Sequence, residues 1–311
     1  MSGGRRRFRG RPVNGIVVVD KPIGASSNQV LQQVKRLYGA AKAGHTGSLD
    51  PLATGVLPVC LGEATKLSQY LLDSDKSYRT TAKLGIRTNT GDAEGEVVAE
   101  RPVAVTESDL EPVLAKFRGP IEQVPSMFSA LKHNGKPLYE YARQGIEIER
   151  PARKVNIYRL TLIEFRGDEL VLEVDCSKGT YIRTLVEDIG EMLGCGAHVA
   201  ELRRLKAGPY EEEQSYTIEE LEEIRNNGGH AALDAILLDQ DSAVSHWPQV
   251  LLGDSSAHYV SQGQPVQVSR APTSGFVRIY HQVEGAPNIF LGIGEIQDDG
   301  LVAPRRLVAK N

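Results

Sequence analysis

Apolar residues along the chain switch between a strand period and a helix period, and the switches mark out most of its elements. GIVVV at Gly15–Val19 is an unbroken apolar run of buried-strand length, closed by Lys21-Pro22. SSNQVLQQVKRLYGA then sets Val30, Leu31, Val34 and Leu37 on one helical face behind a serine N-cap. A glycine- and proline-rich loop, GHTGSLDPLATGVLP at 44–58, separates it from a second helix in GEATKLSQYLLD. Residues 76–86 alternate, with Tyr78, Thr80, Ala82, Leu84 and Ile86 on one face, which predicts a strand. TESDLEPVLAKFRG reads as a helix capped by Thr106 or Ser108. Residues 125–150 are polar and basic, with no period beyond a short helix around LYEYARQ, and read as an excursion from the core. RKVNIYRLTLIEF and ELVLEVDCS flank Gly167-Asp168 as a hairpin. GTYIRTLVEDIGEMLG follows as a helix striped by Ile182, Leu185, Val186, Ile189 and Leu193, and HVAELRRLKAG returns as a strand. An acidic helix and a linker-like stretch at about 226–250 lead to short β segments: PVQVS, FVRIY, IFLGIGEIQ and LVAPRRLV. Asp298-Asp299-Gly300 between alternating runs is a hairpin signal. These segments predict a small, mostly β domain from about 250 to the end, and an α+β arrangement before it.

The length of 311 residues suits one large and one small domain. No apolar run approaches the roughly 20 residues of a membrane span, and the arginines of MSGGRRRFRGRP precede no apolar segment of a secretory signal. An organelle transit peptide would be unusually short here, so a cytoplasmic protein without membrane contact is expected. Cys60, Cys176 and Cys195 are far apart and form no CxxC pair, which reads as three reduced, buried thiols.

Charge distribution says more than the net −4. YEEEQSYTIEELEE at 210–223 carries seven glutamates and no cation, so the remainder of the chain is −4 + 7 = +3. Five arginines crowd positions 5–11, and Lys132, Lys136, Arg143, Arg150, Arg153 and Lys154 outnumber Glu140, Glu147 and Glu149. Local basic surfaces of this kind bind phosphate backbones whatever the total charge. The other reading is a set of solvated faces and a disordered tail.

No GxxxxGK[ST], strand-borne GxGxxG or HExxH is present, and the seven histidines include no i,i+3 or i,i+4 pair. No nucleotide cofactor and no metal are therefore expected. Two stretches remain. In GHTGSLDPLATGVLP, glycines permit close backbone approach while His45, Thr46, Ser48, Asp50 and Thr54 are displayed. Asp50 before Pro51 also fits a plain turn made by the aspartate side chain. A Ser48–His45–Asp50 triad is the poorer reading, because three residues within six positions rarely converge. In SKGTYIRTLVEDIG, Gly179 and Thr180 open a helix whose free N–H groups attract anions, with Tyr181 and Arg183 in its first turn. Arg183 is either a phosphate ligand, a counter-ion to a buried carboxylate, or a surface arginine on a capped helix.

DKPIGASSNQV, GHTGSLDPLATGVLPVCLGEATK, FSALKHNGKPLYEYARQG and CSKGTYIRTLVEDIG, in that order, resemble the bacterial TruB family of tRNA pseudouridine synthases. The resemblance runs from about residue 13 to about 210, and IFLGIGEIQDDGLVAPRRLV is similar to the PUA domain that follows in many members. Ser48 stands where members often carry another small residue.

The resemblance implies an α+β fold: a mixed, largely antiparallel sheet with flanking helices, plus a small β-barrel-like PUA domain. It divides the chain into a basic, disordered tail at 1–12, a catalytic domain at 13–245 with an RNA-binding insertion at about 125–150, and a PUA-like domain at 250–311. It implies isomerisation of one uridine in the TΨC loop of tRNA, conventionally position 55, by a monomer that needs no cofactor. Asp50 corresponds to the catalytic carboxylate, whose first step stays open: addition to carbon 6, attack on carbon 1′, or proton removal from carbon 2′. Arg183 would pair with it, Tyr181 would help remove the carbon-5 proton, and Tyr78 would stack on the flipped base. His45, Leu202 and Asp92 would line the same pocket. Lys132, Lys136 and Arg143 would meet phosphates at the tRNA elbow, and the C-terminal domain the acceptor end. The alternatives are a catalytically silent RNA-binding or RNA-folding protein and, less well matched to the basic insertion, a nucleoside hydrolase.

Overall fold

The computed structural model describes residues 10–309. Arg11 already belongs to the folded body, since its backbone bonds Gly39 and Ala41 and its guanidinium pairs with Asp234. The rest of the expected basic tail, residues 1–9, lies outside the described residues.

The chain opens with strand β1 (Gly15–Lys21), helix α1 (Ser27–Leu37), the short strand β2 (Ala43–His45) and strand β3 (Thr54–Leu61). Helix α2 (Ser68–Leu72) and strand β4 (Lys76–Leu84) follow, then a small hairpin of β5 (Ile86–Thr88) and β6 (Val97–Glu100). Helix α3 (Glu107–Leu114) and strand β7 (Gly119–Gln123) precede the excursion, which holds β8 (Lys132–His133), β9 (Lys136–Pro137) and helix α4 (Leu138–Ala142). Next come β10 (Arg153–Arg166), β11 (Glu169–Cys176), helix α5 (Ile182–Met192), β12 (Ala197–Ala207), β13 (Tyr210–Glu211) and helix α6 (Ile218–Ala235). The last part contains β14 (Gln249–Leu252), helix α7 (Asp254–Ser261), β15 (Gly275–His281), β16 (Ile289–Ile296) and β17 (Val302–Leu307).

The main sheet runs β1-β3-β12-β4-β11-β10-β7, with β2 beside β3 and β13 beside β12. Its β3–β12 pair is parallel and its other pairs are antiparallel, so it is mixed and largely antiparallel. The apolar run of β1 has a direct cause. Val17 and Val19 pack against α1 and α6, while Ile16 and Val18 pack against Leu67, Leu71 and Tyr210, so both faces are covered. The Ser26–Gln29 capping box closes the start of α1, and complete burial of Val30 and Val34 contributes about 1.5–3 kcal/mol each. On the other half of the sheet, Ile182, Leu185, Val186 and Ile189 of α5 lie over Ala82, Leu172 and Val199. Gly55 (φ +100) is where β3 crosses closest to β12: a Cβ there would fall 2.2 Å from the Arg204 carbonyl oxygen.

Several expectations change. The loop at 44–58 is shorter, because residues 54–61 form β3; the apolar residues of TGVLPVCL outweigh its glycine and proline once β1 and β12 cover it. Thr106, not Ser108, caps α3. Gly85 (φ +84) ends β4, which leaves Ile86 in the separate β5. Helix α5 begins at Ile182 behind Tyr181 as N-cap, so Gly179 (φ +79) and Thr180 form the preceding turn and not the helix start. The expected linker is largely structured: α6 continues to Ala235 through a kink at Gly229 (φ 67), with Leu233 buried against α1.

Near the C-terminus, β14, β15, β16 and β17 make an open four-stranded sheet in that order, and no closed barrel is found among the described residues. PVQVS supplies only a bridge from Val266 to Val302, whereas β14 and α7 have no counterpart among the expected elements. The turn at Gly300 (φ +83) between β16 and β17 is as expected. All three cysteines are buried and free.

Candidate active site

Asp50 lies on the loop between β2 and β3, and neighbours on both sides hold that loop. From the β1–α1 connection, the Lys21 Nζ and Gly24 N–H donate to the Pro51 carbonyl at 3.2 and 2.8 Å. The Leu49 N–H donates to the Ser27 hydroxyl at 2.8 Å. From β12, Arg204 donates to the Gly47 and Val56 carbonyls at 3.0 and 2.7 Å. Leu49 and Leu52 anchor the loop in the core. The turn itself closes through the backbone, with the Ala53 N–H on the Asp50 carbonyl at 3.0 Å. The Asp50 side chain is thereby released from the turn role that its place before proline suggests.

That carboxylate meets Arg183, whose Nε is 2.9 Å from Asp50 Oδ2. Arg183 is not on the surface; its side chain is 5% exposed. Its guanidinium also donates to the Thr90 carbonyl at 2.7 Å and the Phe128 carbonyl at 2.8 Å, and stands 3.7 Å from Asp92 Oδ2. Two chain segments, the β5–β6 connection and the stretch at Phe128, therefore fix its plane, and Nε is left aimed at Asp50. Asp92 is held by the Thr90 hydroxyl at 2.6 Å and the Glu94 N–H at 3.1 Å. Burial pushes the Asp50 carboxyl above the usual carboxylate value; Arg183 pulls it back down, Asp92 adds to the rise, and Lys21 opposes it weakly.

Tyr181 is oriented by a two-way clamp, its N–H on Gln123 Oε1 at 3.0 Å and its carbonyl accepting from Gln123 Nε2 at 3.2 Å. Burial raises its phenol, Ser129, Arg153 and Arg183 lower it, and Asp50 raises it. Tyr78 lies across from Arg204 in the β4–β12 pair. Its phenol is raised by burial and by Asp50 and lowered by Arg204. Leu202, two residues before Arg204 and across from Thr80, is buried in the same cluster as Leu49 and Leu52. His45 ends β2 with its Nδ1 buried and without a hydrogen-bond partner, and burial and Arg204 both lower its pKa. Asp50 is thus electrostatically coupled to Arg183, Asp92, Tyr78 and Tyr181, while Leu202 packs with Leu49 and Leu52 of the Asp50 loop. Among the described residues, no three His, Cys, Asp or Glu side chains come together as a metal ion needs.

Lys132 on β8, Lys136 on β9 and Arg143 at the end of α4 are exposed and stand apart from Asp50. The segment that carries them still reaches the site through the Phe128 carbonyl and Ser129.

Sequence reasoning misses Lys21 and Arg204. Lys21 is fully buried and donates to the Pro22, Ala25 and Pro51 carbonyls; desolvation lowers its pKa to about 8. A signal exists for Arg204, because period-2 parity puts it on the same face of its strand as Leu202.

A large mixed sheet that brings an aspartate on the β2–β3 loop against a buried arginine of helix α5 is the arrangement that the resemblance to pseudouridine synthases implies. The sequence matches the TruB family pseudouridylate synthase N-terminal domain at residues 35–182, the tRNA pseudouridylate synthase B C-terminal domain at 183–245, and the pseudouridine synthase II TruB C-terminal region at 248–308. It is 59% identical over 310 residues to the tRNA pseudouridine synthase B of Aeromonas salmonicida, covering 98% of this chain and 96% of that one. To the protein of that name from Yersinia pestis it is 56% identical over 314 residues, covering 99% and 96%. Among solved structures, a chain of an H/ACA RNP bound to a substrate RNA containing 2′-deoxyuridine aligns with TM-score 0.71 and 25% identity, over 95% of this chain and 85% of that one. A chain of a Cbf5-Nop10-Gar1 complex aligns with TM-score 0.70 and 27% identity, over 95% and 84%. The chain belongs to the TruB family of pseudouridine synthases.

Proposed function

We propose that this protein converts one uridine of the tRNA TΨC loop, conventionally position 55, to pseudouridine. The observation that carries the mechanism is the Asp50–Arg183 pair at 2.9 Å, with the guanidinium locked by two carbonyl oxygens. Asp50 acts in its ionised form and starts cleavage of the bond between carbon 1′ and N1. The freed base turns beside Asp50, carbon 5 joins carbon 1′, the carbon-5 proton leaves, and N1 takes up a proton. No atom is gained or lost overall. Tyr78 supplies a planar face for the extruded base, and Tyr181 stands beside Asp50 to help remove the carbon-5 proton. His45, Leu202 and Asp92 shape the pocket.

In the same reading, Lys132, Lys136 and Arg143 contact phosphates at the elbow. Residues 250–311 form a PUA-like unit for the acceptor end, residues 13–245 are the catalytic domain, and the protein works as a cytoplasmic monomer. The relatives' name, tRNA pseudouridine synthase B, supports the substrate class.

The test is tritium release from T-arm RNA labelled at carbon 5 of the target uridine, with wild type and D50N side by side. Release by the wild type, abolished in D50N while RNA binding persists, is the expected result. Binding without release from either protein would instead identify an RNA-binding protein that retains the fold without the chemistry.

A further inference from the structure

The loop that carries Asp50 is surrounded by more buried positive charge than its carboxylates balance. Lys21, Lys76, Arg183 and Arg204 are all buried, and of these Arg183 alone has carboxylates within ion-pair reach among the described residues. Lys21 and Lys76 direct their ammonium protons at backbone carbonyls. Arg204, 1% exposed, is the largest of the fully buried side chains.

Its placement is specific. Nη2 holds the Gly47 carbonyl at 3.0 Å and Nε the Val56 carbonyl at 2.7 Å, one on each side of Asp50, so a single side chain ties both ends of the loop. Gly47 (φ +72) admits it closely: a Cβ there would be 3.3 Å from Nη1. The charge of Arg204 also acts on Tyr78, His45, Lys76 and Lys21. A guanidinium kept out of water without a carboxylate is costly to the fold, and a fold that retains one beside a reacting centre has a use for its field.

We propose that Arg204 is a positioning residue of the isomerisation, fixing the register of the Asp50 loop and supplying the unpaired positive charge that stabilises the departing base. The proposal rests on the isomerase reading above. When the bond between carbon 1′ and N1 breaks, its electron pair stays with N1 and the free base carries a negative charge until carbon 5 rejoins carbon 1′. Arg204 acts through the loop and through Tyr78, its cross-strand neighbour.

The experiment is single-turnover tritium release from carbon-5-labelled T-arm RNA by wild type, R204K and R204Q, with Kd for the same RNA measured by filter binding. R204Q should react about 100-fold more slowly, the loss typical of one preorganised electrostatic group, with Kd nearly unchanged. R204K keeps the charge but not the forked contact, and should recover part of that rate while remaining slower than wild type. The His45 ring, followed by NMR, should titrate in R204K as in wild type and at higher pH in R204Q.

Equal rates for R204K and R204Q would overturn the role of charge, and a wild-type rate in R204K would overturn the role of loop register. If R204Q does not fold, R204K alone decides: a His45 titration moved upward there removes the electrostatic half of the proposal. Absence of release from the wild type would count against the isomerase reading itself, a different failure.

Discussion

Asp50 must be ionised to react, yet its surroundings favour the protonated form. The side chain keeps 41% of its surface open, so solvent moderates the upward push of burial, and Arg183 supplies the strongest opposing charge. Because the folded pKa lies above the ordinary value, activity should be lost as pH falls through that raised pKa. Arg183→Gln removes the charge that holds it down, so the acid limb of the single-turnover profile should move to higher pH. Each unit of movement corresponds to a tenfold loss of the ionised form on that limb. A rate that drops uniformly with the limb unmoved would show that Arg183 does not set the Asp50 charge state. The residues themselves make Asp50 and Arg183 candidates with competing bland readings, and the resemblance supplies their roles. Lys21 stays hidden, and strand parity hints only at the face on which Arg204 lies, because the partners of both are backbone carbonyls, which leave no mark in a sequence.

At the scale of elements, the excursion shows why short pieces escape a periodic reading. Asn134 and Gly135 both have positive φ (48 and 82), the conformation that a two-residue hairpin turn demands, and they pair Lys132 with Pro137 and His133 with Lys136. Asn-Gly is a hairpin signal, but strands of two residues have no alternation to accompany it. The hairpin leaves Lys132 and Lys136 exposed on its two strands, while the same segment reaches the site through Phe128. Phosphate binding should therefore be separable from chemistry. K132A/K136A should weaken RNA binding and reduce the slope of log K against log salt by about one for each phosphate no longer neutralised, with the single-turnover rate at saturating RNA preserved. An unchanged salt slope would remove these lysines from the RNA interface. Helix α6 and strand β3 depart from the sequence reading for another reason: Gly228-Gly229 and Gly55 are local breaker signals, overridden by α1 in one case and by β1 and β12 in the other.

For the whole molecule, the C-terminal sheet is tied to the main body by a small aromatic cluster and several polar contacts, among them those of Arg278 and Tyr280 with Asp241. Trp247 stacks on Phe276 at 4.9 Å and meets the Tyr70 edge at 4.9 Å, and Tyr70 also packs against Phe276. Lys66 donates to the Leu307 carbonyl at 3.0 Å, and the Ala309 N–H to Glu63 at 2.6 Å. Ile293 and Phe290 of β16 pack in one cluster with Leu67 and Leu71. The sequence foretells a separate β unit here but not its docking, because Tyr70 and Trp247 are far apart in the chain and each is a lone aromatic in its segment. If this unit positions the acceptor end, its orientation matters only for an RNA long enough to reach it. Trp247→Ala should therefore weaken binding of full-length tRNA, about tenfold in Kd for each 1.4 kcal/mol by which docking weakens, and leave an isolated T-arm hairpin with its wild-type affinity and single-turnover rate. Equal losses on both RNAs would mean that the aromatic cluster supports the catalytic body as a whole, and the division of labour between the two units would have to be withdrawn.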